Sequence, residues 1–151
     1  MLGISKEDFT IRAENFSLAN PWNILRFICG AFMFPHVASK FVNGALNPAV
    51  IGFFGKAGFA PPEAWMVLAA LVEAGTGIAL ILGLCTRFAA LGAAGALAVA
   101  VYALHMVKGF GWTWNTGGYE YPVFWAITLV AQALLGDGAY AVGNPGLSTY
   151  S

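Results

Sequence analysis

The sequence predicts an all-α integral membrane protein, a four-helix bundle of up-down-up-down topology with apolar loops in the membrane interface. Of its 151 residues, 59% are hydrophobic and 9% are charged, and the mean hydropathy is +0.72. An ordinary soluble domain has about 25% charged residues, so this chain has too few charges to cover a surface that faces water. The net charge is zero, which gives no support for nucleic acid as a partner.

Four apolar runs carry the predicted spans. A helix that crosses a bilayer needs about 20 residues and satisfies its own backbone hydrogen bonds, so each run is predicted to be helical. Asn20 and Pro21 suit the start of the first run, because asparagine caps helices and proline fits the first helical position. We expect a polar N-terminal segment at 1–20, a four-span domain at 21–136 with spans at 21–42, 64–85, 88–107 and 121–136, and a C-terminal tail at 137–151.

The connections between the runs differ in character. Thr86 and Arg87 are predicted to form a tight turn, which makes spans two and three antiparallel neighbours. Residues 43–63 are apolar, which favours a position in the membrane interface. The connection at 108–120 is rich in tryptophan and tyrosine, which favour the headgroup level, so this loop is predicted to cap one end of the bundle.

Spans two and three contain many small residues, among them Gly75 and Gly77 in one and Gly92 and Gly95 in the other. Small residues let helices approach closely in lipid. This pattern favours a compact bundle, and it equally favours an interface with another subunit.

Four spans place both chain ends on one side of the membrane, and positively charged residues favour the cytoplasmic side. The side with the termini has a small excess of such residues: Lys6, Arg12, Arg26 and Arg87 against Lys40, Lys56 and Lys108. The sequence therefore predicts cytoplasmic termini.

Glu73 lies near the middle of the second apolar run. A charged side chain at the centre of a bilayer costs about 2.5–3.5 kcal/mol on insertion scales, so it needs a partner. Since each helical residue turns by about 100°, Arg26, His36 and Lys40 of span one fall within about 80° of one another. Span one is thus predicted to present one polar stripe to the interior, with a kink at Pro35.

Span four shows a second stripe, which is formed by Tyr121, Trp125, Thr128 and Gln132 within about 60°. Like the stripe of span one, it is predicted to face the interior of the bundle.

A rise of about 1.5 Å per residue gives the depth of each polar side chain below the face opposite the termini. Lys40 and His105 lie about 3 Å deep, His36 about 9 Å and Glu73 about 14 Å, with Glu120 at the boundary. We therefore expect ionisable side chains from separate helices to share one pocket in this half of the membrane.

Other polar side chains are predicted to lie away from that pocket. Arg26 and Arg87 belong to the half nearer the termini, although Arg26 is long enough to extend toward Glu73. Cys29 and Cys85 differ in depth by about 9 Å, which argues against a disulfide.

Such a cluster has three interpretations, which the residues alone leave open. The charges can neutralise one another, which intramembrane charges must do in any case. They can relay protons to a bound redox molecule, since histidine titrates near neutral pH and burial raises the pKa of a glutamate. They can bind a metal or haem, although no HxxxH or ExxH repeat supports this. Rossmann, CxxCH and iron–sulfur patterns are also missing, so an electron carrier would have to come from a partner.

The ordered set of motifs from 22 to 140 resembles the DoxX family of small four-span bacterial membrane proteins. The matching residues, in chain order, are Arg26, Gly30, Phe34, His36 and Lys40; Glu73-Ala74-Gly75-Thr76-Gly77; Leu82-Gly83-Leu84-Cys85-Thr86-Arg87; His105; Glu120-Tyr121-Pro122; and Gly136-Asp137-Gly138-Ala139-Tyr140. Two departures from the family pattern are Val37 and the sequence 141–143.

The resemblance implies a multi-pass protein of the bacterial cytoplasmic membrane that is tied to redox assemblies, as some relatives are subunits of thiosulfate:quinone oxidoreductase. The leading hypothesis is a membrane subunit of a quinone-linked oxidoreductase, with quinone as the possible cofactor and with lipid and other membrane subunits as partners. Catalytic roles are predicted for His36, Glu73 and His105. Substrate-binding roles are predicted for Arg26, Lys40, Glu120 and Arg87.

Two competing hypotheses belong to other classes of protein. One is a non-catalytic accessory subunit of a respiratory or photosynthetic membrane complex, which small-residue faces and apolar loops would suit. The other is a transporter or channel, although no inverted repeat or pair of broken helices supports it.

Overall fold

A computed structural model describes residue 4 and residues 6–135. The predicted tail at 137–151 and the motif at 136–140 lie outside the described residues. The described residues form three short 3-10 helices, six α-helices and a small hairpin, which in chain order are 3-10 helices at Lys6–Phe9 and Ala13–Phe16, α1 Pro21–Ala31, α2 Met33–Ser39, β1 Phe41–Val42, β2 Ala45–Leu46, α3 Pro48–Lys56, α4 Pro62–Leu82, α5 Thr86–Lys108, a 3-10 helix at Trp114–Thr116 and α6 Glu120–Leu135.

The first predicted span is two helices, α1 and α2, that meet at Phe32. Asn20 caps α1 as predicted, since its side chain accepts a hydrogen bond from the Trp22 amide at 3.0 Å. The break at Phe32 agrees with the predicted kink: Pro35 has no N–H to offer the carbonyl of Ala31, and its ring crowds that carbonyl. The predicted end at residue 42 is wrong, because α2 ends at Ser39.

The first connection, which is predicted to be an interfacial loop, contains a β-hairpin and a helix. Asn43 and Gly44 have φ of 51° and 76°, the left-handed values that a two-residue hairpin turn requires. Pairing of β1 with β2 follows directly from this turn. Asn47 then caps α3 by accepting a hydrogen bond from the Ala49 amide at 3.1 Å, and Pro48 takes the first helical position.

The second and third predicted spans correspond to α4 and α5, which pack as antiparallel neighbours. The turn between them is Gly83 to Cys85, whereas Thr86 and Arg87 form the first turn of α5, so their predicted turn is wrong. Gly83 has φ 72° and ends α4 in the left-handed conformation that glycine adopts without strain. Helix α5 also extends to Lys108, one residue beyond the predicted end.

The fourth predicted span agrees with α6 to within one residue at each end. The loop before it folds back on itself: the Tyr119 amide donates to the Gly111 carbonyl and the Glu120 amide to the Trp112 carbonyl, both at 3.0 Å. This closure directs α6 back along α5.

The core lies where α1, α2, α5 and α6 meet the end of α4. Small side chains on α5 let α6 approach closely and receive its larger side chains. The core residues are Cys29, Met33, Leu80, Ala89, Ala90, Ala93, Ala94, Leu97, Trp125, Leu129 and Ala133.

Within the described residues, α4 and α5 are long and apolar enough to cross a membrane, and α6 is a shorter apolar helix. The four-span bundle therefore stays a prediction. Helices α1 and α2 together cover residues 21–39, which is about 28 Å of helix, and α6 covers about 24 Å.

Candidate functional site

Glu73 has a charged partner from another helix. The Lys40 ammonium, at the end of α2, lies 2.6 Å from the Glu73 Oε2, and both side chains are largely buried. Lys40 also donates a hydrogen bond to the backbone carbonyl of His36 at 3.1 Å. The burial of this pair removes both charges from water. Each charge is then compensated by the opposite charge in direct contact with it.

The hairpin after α2 helps to hold Lys40 in place. The Asn47 amide donates to the Lys40 carbonyl at 2.9 Å, which closes the base of the hairpin. The left-handed pair Asn43 and Gly44 thus fixes the backbone from which the lysine extends toward α4.

A cavity of about 260 Å³ lies beside the ion pair. Glu73 and His36 line it together with aromatic and aliphatic side chains from α2, α3, α4, α5 and α6. The remaining lining residues are Met33, Phe53, Ala96, Leu97, Ala100, Leu104, Tyr121, Pro122 and Trp125. An apolar chamber with a few polar groups at one wall is the usual form of a site for a small organic ligand, although this one lies just below the usual range of about 300–1,000 Å³.

Trp125 forms much of the chamber wall. Its ring centroid lies 5.5 Å from that of His36 and 5.7 Å from that of Tyr121. The tryptophan is 5% exposed, as expected for the interior stripe of α6. Trp125 thus packs against both His36 and Tyr121, and of these His36 is exposed on its other side.

A wider groove of about 540 Å³ lies on the outside of α6. Trp112, Trp114, Glu120 and Phe124 line it, and Tyr121 lines both the groove and the inner chamber. The tyrosine therefore stands between an outward-facing apolar surface and the space beside Glu73.

His105 and Glu120 do not line the chamber. His105 is exposed near the end of α5, with its ring centroid 6.3 Å from that of Tyr119. Glu120 lines the outer groove and accepts a hydrogen bond from the Trp114 amide at 3.4 Å. Of the predicted cluster, the structure pairs Lys40 with Glu73, while His36 is exposed and lines the same chamber as Glu73.

The two predicted arginines lie at the opposite end of the bundle. Arg26 is 1% exposed, and its guanidinium donates to the carbonyls of Leu80 and Ile81 at the end of α4. It also donates to the carbonyl of Asn15, so it joins three segments there and is turned away from Glu73. Arg87 is half-buried in the first turn of α5.

Two parts of the chamber were not assigned to the site by sequence reasoning. Tyr121 and Trp125 were placed on an interior stripe without a role at the site, and Phe53 lay in a connection expected to be interfacial. The pair Asn47-Pro48 repeats the capping pattern of Asn20-Pro21, and this signal would have predicted α3 and with it Phe53.

No disulfide joins Cys29, which is buried, to Cys85, which is half-buried. Within the part of the chain that the structure describes, no group of three or more histidine, cysteine, aspartate or glutamate side chains is arranged to hold a metal ion.

The two long apolar helices and the charged pair between α2 and α4 define a helical membrane protein with two candidate spans. The DoxX family model matches residues 22–106, more than half of the chain, and the protein belongs to the DoxX family. The matched range contains His36, Lys40, Glu73 and His105. No curated protein and no solved structure matches the chain.

Proposed function

We propose that the protein is the ligand-binding membrane subunit of a quinone-linked oxidoreductase, with the chamber beside Glu73 as the quinone site. The observation that supports this most directly is the Lys40–Glu73 pair, whose carboxylate lines an otherwise apolar chamber. A quinone head group needs an apolar slot with proton partners at its carbonyl oxygens.

Reduction of a quinone to its quinol takes up two electrons and two protons. The electrons come from a partner oxidoreductase, because this chain shows no motif for an electron carrier. One proton comes from the imidazolium of His36 and the other from the Lys40–Glu73 pair, and both sites are then reprotonated from water. Tyr121 and the outer groove give a lipid-soluble ligand a lateral route from the membrane.

Filling the chamber tests whether it binds quinone. Ala100 lines the chamber, whereas Ala98 is exposed on the same helix. Ala100→Phe should abolish the saturable photolabelling of the purified protein by a short-chain azidoquinone, because the new ring occupies the ligand volume. Ala98→Phe should leave that labelling unchanged, and mass spectrometry should locate the label on chamber residues such as Met33.

Labelling that is equal in both variants, or that excess unlabelled decylubiquinone does not compete away, would refute a quinone site in the chamber. Circular dichroism of both variants establishes that the helices remain intact.

Proton transfer is tested separately, in the intact complex. Glu73→Gln and His36→Ala should each lower quinone turnover by about 10²-fold, the lower end of the effect of a general acid. The labelling by azidoquinone should persist in both variants. Unchanged turnover in a fully assembled complex would show that these side chains only neutralise one another.

An accessory structural role is the second candidate, and the outward faces of α4 and α5 favour it. Gly75 and Gly95 are exposed, and a Cβ on either glycine would meet open space. A helix of a neighbouring subunit could approach closely there. If the role is structural, Gly75→Leu and Gly95→Leu should each release the protein from its complex in native electrophoresis. The wild-type protein should then show no saturable labelling by azidoquinone.

A further inference from the structure

We infer that residues 6–18 form a membrane-surface element whose apolar side chains insert into the headgroup region of a lipid bilayer. The sequence predicts a polar segment here, and polar side chains are indeed prominent in it. The structure shows instead that several of its polar groups turn inward and its large apolar side chains turn outward.

Hydrogen bonds fix the segment to the end of the helical bundle. The Cys85 amide donates to the Asp8 carbonyl at 2.8 Å, which ties the first 3-10 helix to the turn between α4 and α5. The Asn23 side chain donates to the carbonyls of Glu14 and Ser17 at 2.8 Å and 3.0 Å. The Asn15 side chain donates to the Leu82 carbonyl at 3.3 Å, next to the bonds from Arg26.

Large apolar side chains point away from this framework. Phe9 is 65% exposed, Ile11 54%, Phe16 47% and Leu18 75%. Four large apolar side chains exposed within ten residues of a firmly attached segment indicate an interaction site.

The position of the segment identifies lipid as the partner. Helices α4 and α5 are the candidate spans, and the turn that joins them must lie at a membrane surface. Because the segment is bonded to Leu82 and Cys85, it lies at that same level. Apolar side chains at this level bury about 5–10 Å into the boundary between headgroups and acyl chains, while the exposed Lys6 meets lipid phosphates.

Spin labels measure what covers each side chain. Phe9→Cys and Phe16→Cys are labelled in the full-length protein and reconstituted in vesicles of three parts phosphatidylcholine to one part phosphatidylglycerol. Glu14→Cys is the matched control, because Glu14 is exposed but polar. The unsubstituted protein, in which Cys29 is buried, gives the background labelling.

The labels at Phe9 and Phe16 should collide more often with oxygen, which concentrates in lipid, than with a water-soluble nickel complex. The control label should show the reverse preference. Preference for nickel at both apolar positions would place the segment in water and overturn the inference. Labels that are immobile and inaccessible to both oxygen and the nickel complex would show that a second copy or a partner protein covers the segment. That result would also overturn the inference.

A second measurement leaves all native cysteines and most packing unchanged. The fluorescence added by Phe9→Trp should be quenched when the vesicle lipids carry bromine high on their acyl chains. Fluorescence that brominated lipids leave unchanged would contradict insertion, whatever the state of the quinone site.

Discussion

At the scale of single residues, the Lys40–Glu73 pair joins two helices through one short contact between charges. Removing one partner of a buried ion pair leaves the other charge uncompensated and costs about 3–5 kcal/mol. Lys40→Met should therefore lower the melting temperature of the protein in detergent, as followed by intrinsic fluorescence. Adding Glu73→Gln to Lys40→Met should restore most of the lost melting temperature, because no charge then remains at the site.

Lys56→Met provides the matched control, since Lys56 is exposed at the end of α3. A double variant that is no more stable than Lys40→Met alone would contradict an energetic coupling between the two side chains.

The need of Glu73 for a charged partner could be predicted from the sequence, because an energetic cost and a depth both follow from spacing alone. A carboxylate in an apolar run requires a partner, and the depth of each helical residue restricts the candidates. Lys40 is the partner, and His36 lies beside it. His105 and Glu120 were predicted at a suitable depth, but depth does not determine which side of a helix they occupy.

At the scale of elements, α1 and α4 cross at two glycines. A Cβ on Gly30 would lie 2.8 Å from the Gly77 carbonyl oxygen and 2.9 Å from the Leu80 Cβ. Gly30→Ala should therefore separate the helices and destabilise the protein by about 1–3 kcal/mol, the usual cost of overpacking. Thermal unfolding in detergent measures the loss.

Gly75→Ala is the control on α4, because a Cβ there meets open space. It should leave the melting temperature unchanged or raise it, since alanine is favoured over glycine in a helix by about 1 kcal/mol. Equal effects of the two substitutions would mean that the crossing at Gly30 is not tightly packed.

The bounds of α4, α5 and α6 agreed closely with the apolar runs, because long hydrophobic stretches leave few alternatives to a helix. The elements after Ser39 did not agree with the predicted apolar run, because the sequence signals for them are local. Asn43-Gly44 predicts a hairpin and Asn47-Pro48 a helix start, but both lie inside an apolar stretch that hydropathy alone extends without a break.

At the scale of the whole molecule, the contacts constrain the path of the chain through a membrane. The N-terminal segment is bonded to Cys85, whereas Pro61 lies at the other end of α4. If α4 crosses the bilayer, the chain must also cross between residues 8 and 61, and α1 with α2 provides that passage. Helix α6 packs along α5, so a crossing by α6 as well would give the four spans that the sequence predicts.

Labelling from one side of a sealed vesicle tests this topology. Lys6→Cys and Asn115→Cys place single exposed thiols in the N-terminal segment and in the loop before α6. Four crossings put them on opposite sides, so a membrane-impermeant maleimide should modify only one of them in intact vesicles. Modification of both from the same side would contradict a passage of α1 and α2 through the membrane.

The Arg26 guanidinium has a consequence for biogenesis. Its carbonyl acceptors on Leu80 and Ile81 come more than 50 residues later in the chain, so they are still unmade when α1 leaves the ribosome. Until then Arg26 lacks two of the acceptors that it has in the folded protein, and an arginine within a hydrophobic helix costs about 2.5–3.5 kcal/mol on insertion scales. Helix α1 should therefore stay in contact with the translocon until α4 has been synthesised, and the two helices would enter the lipid together.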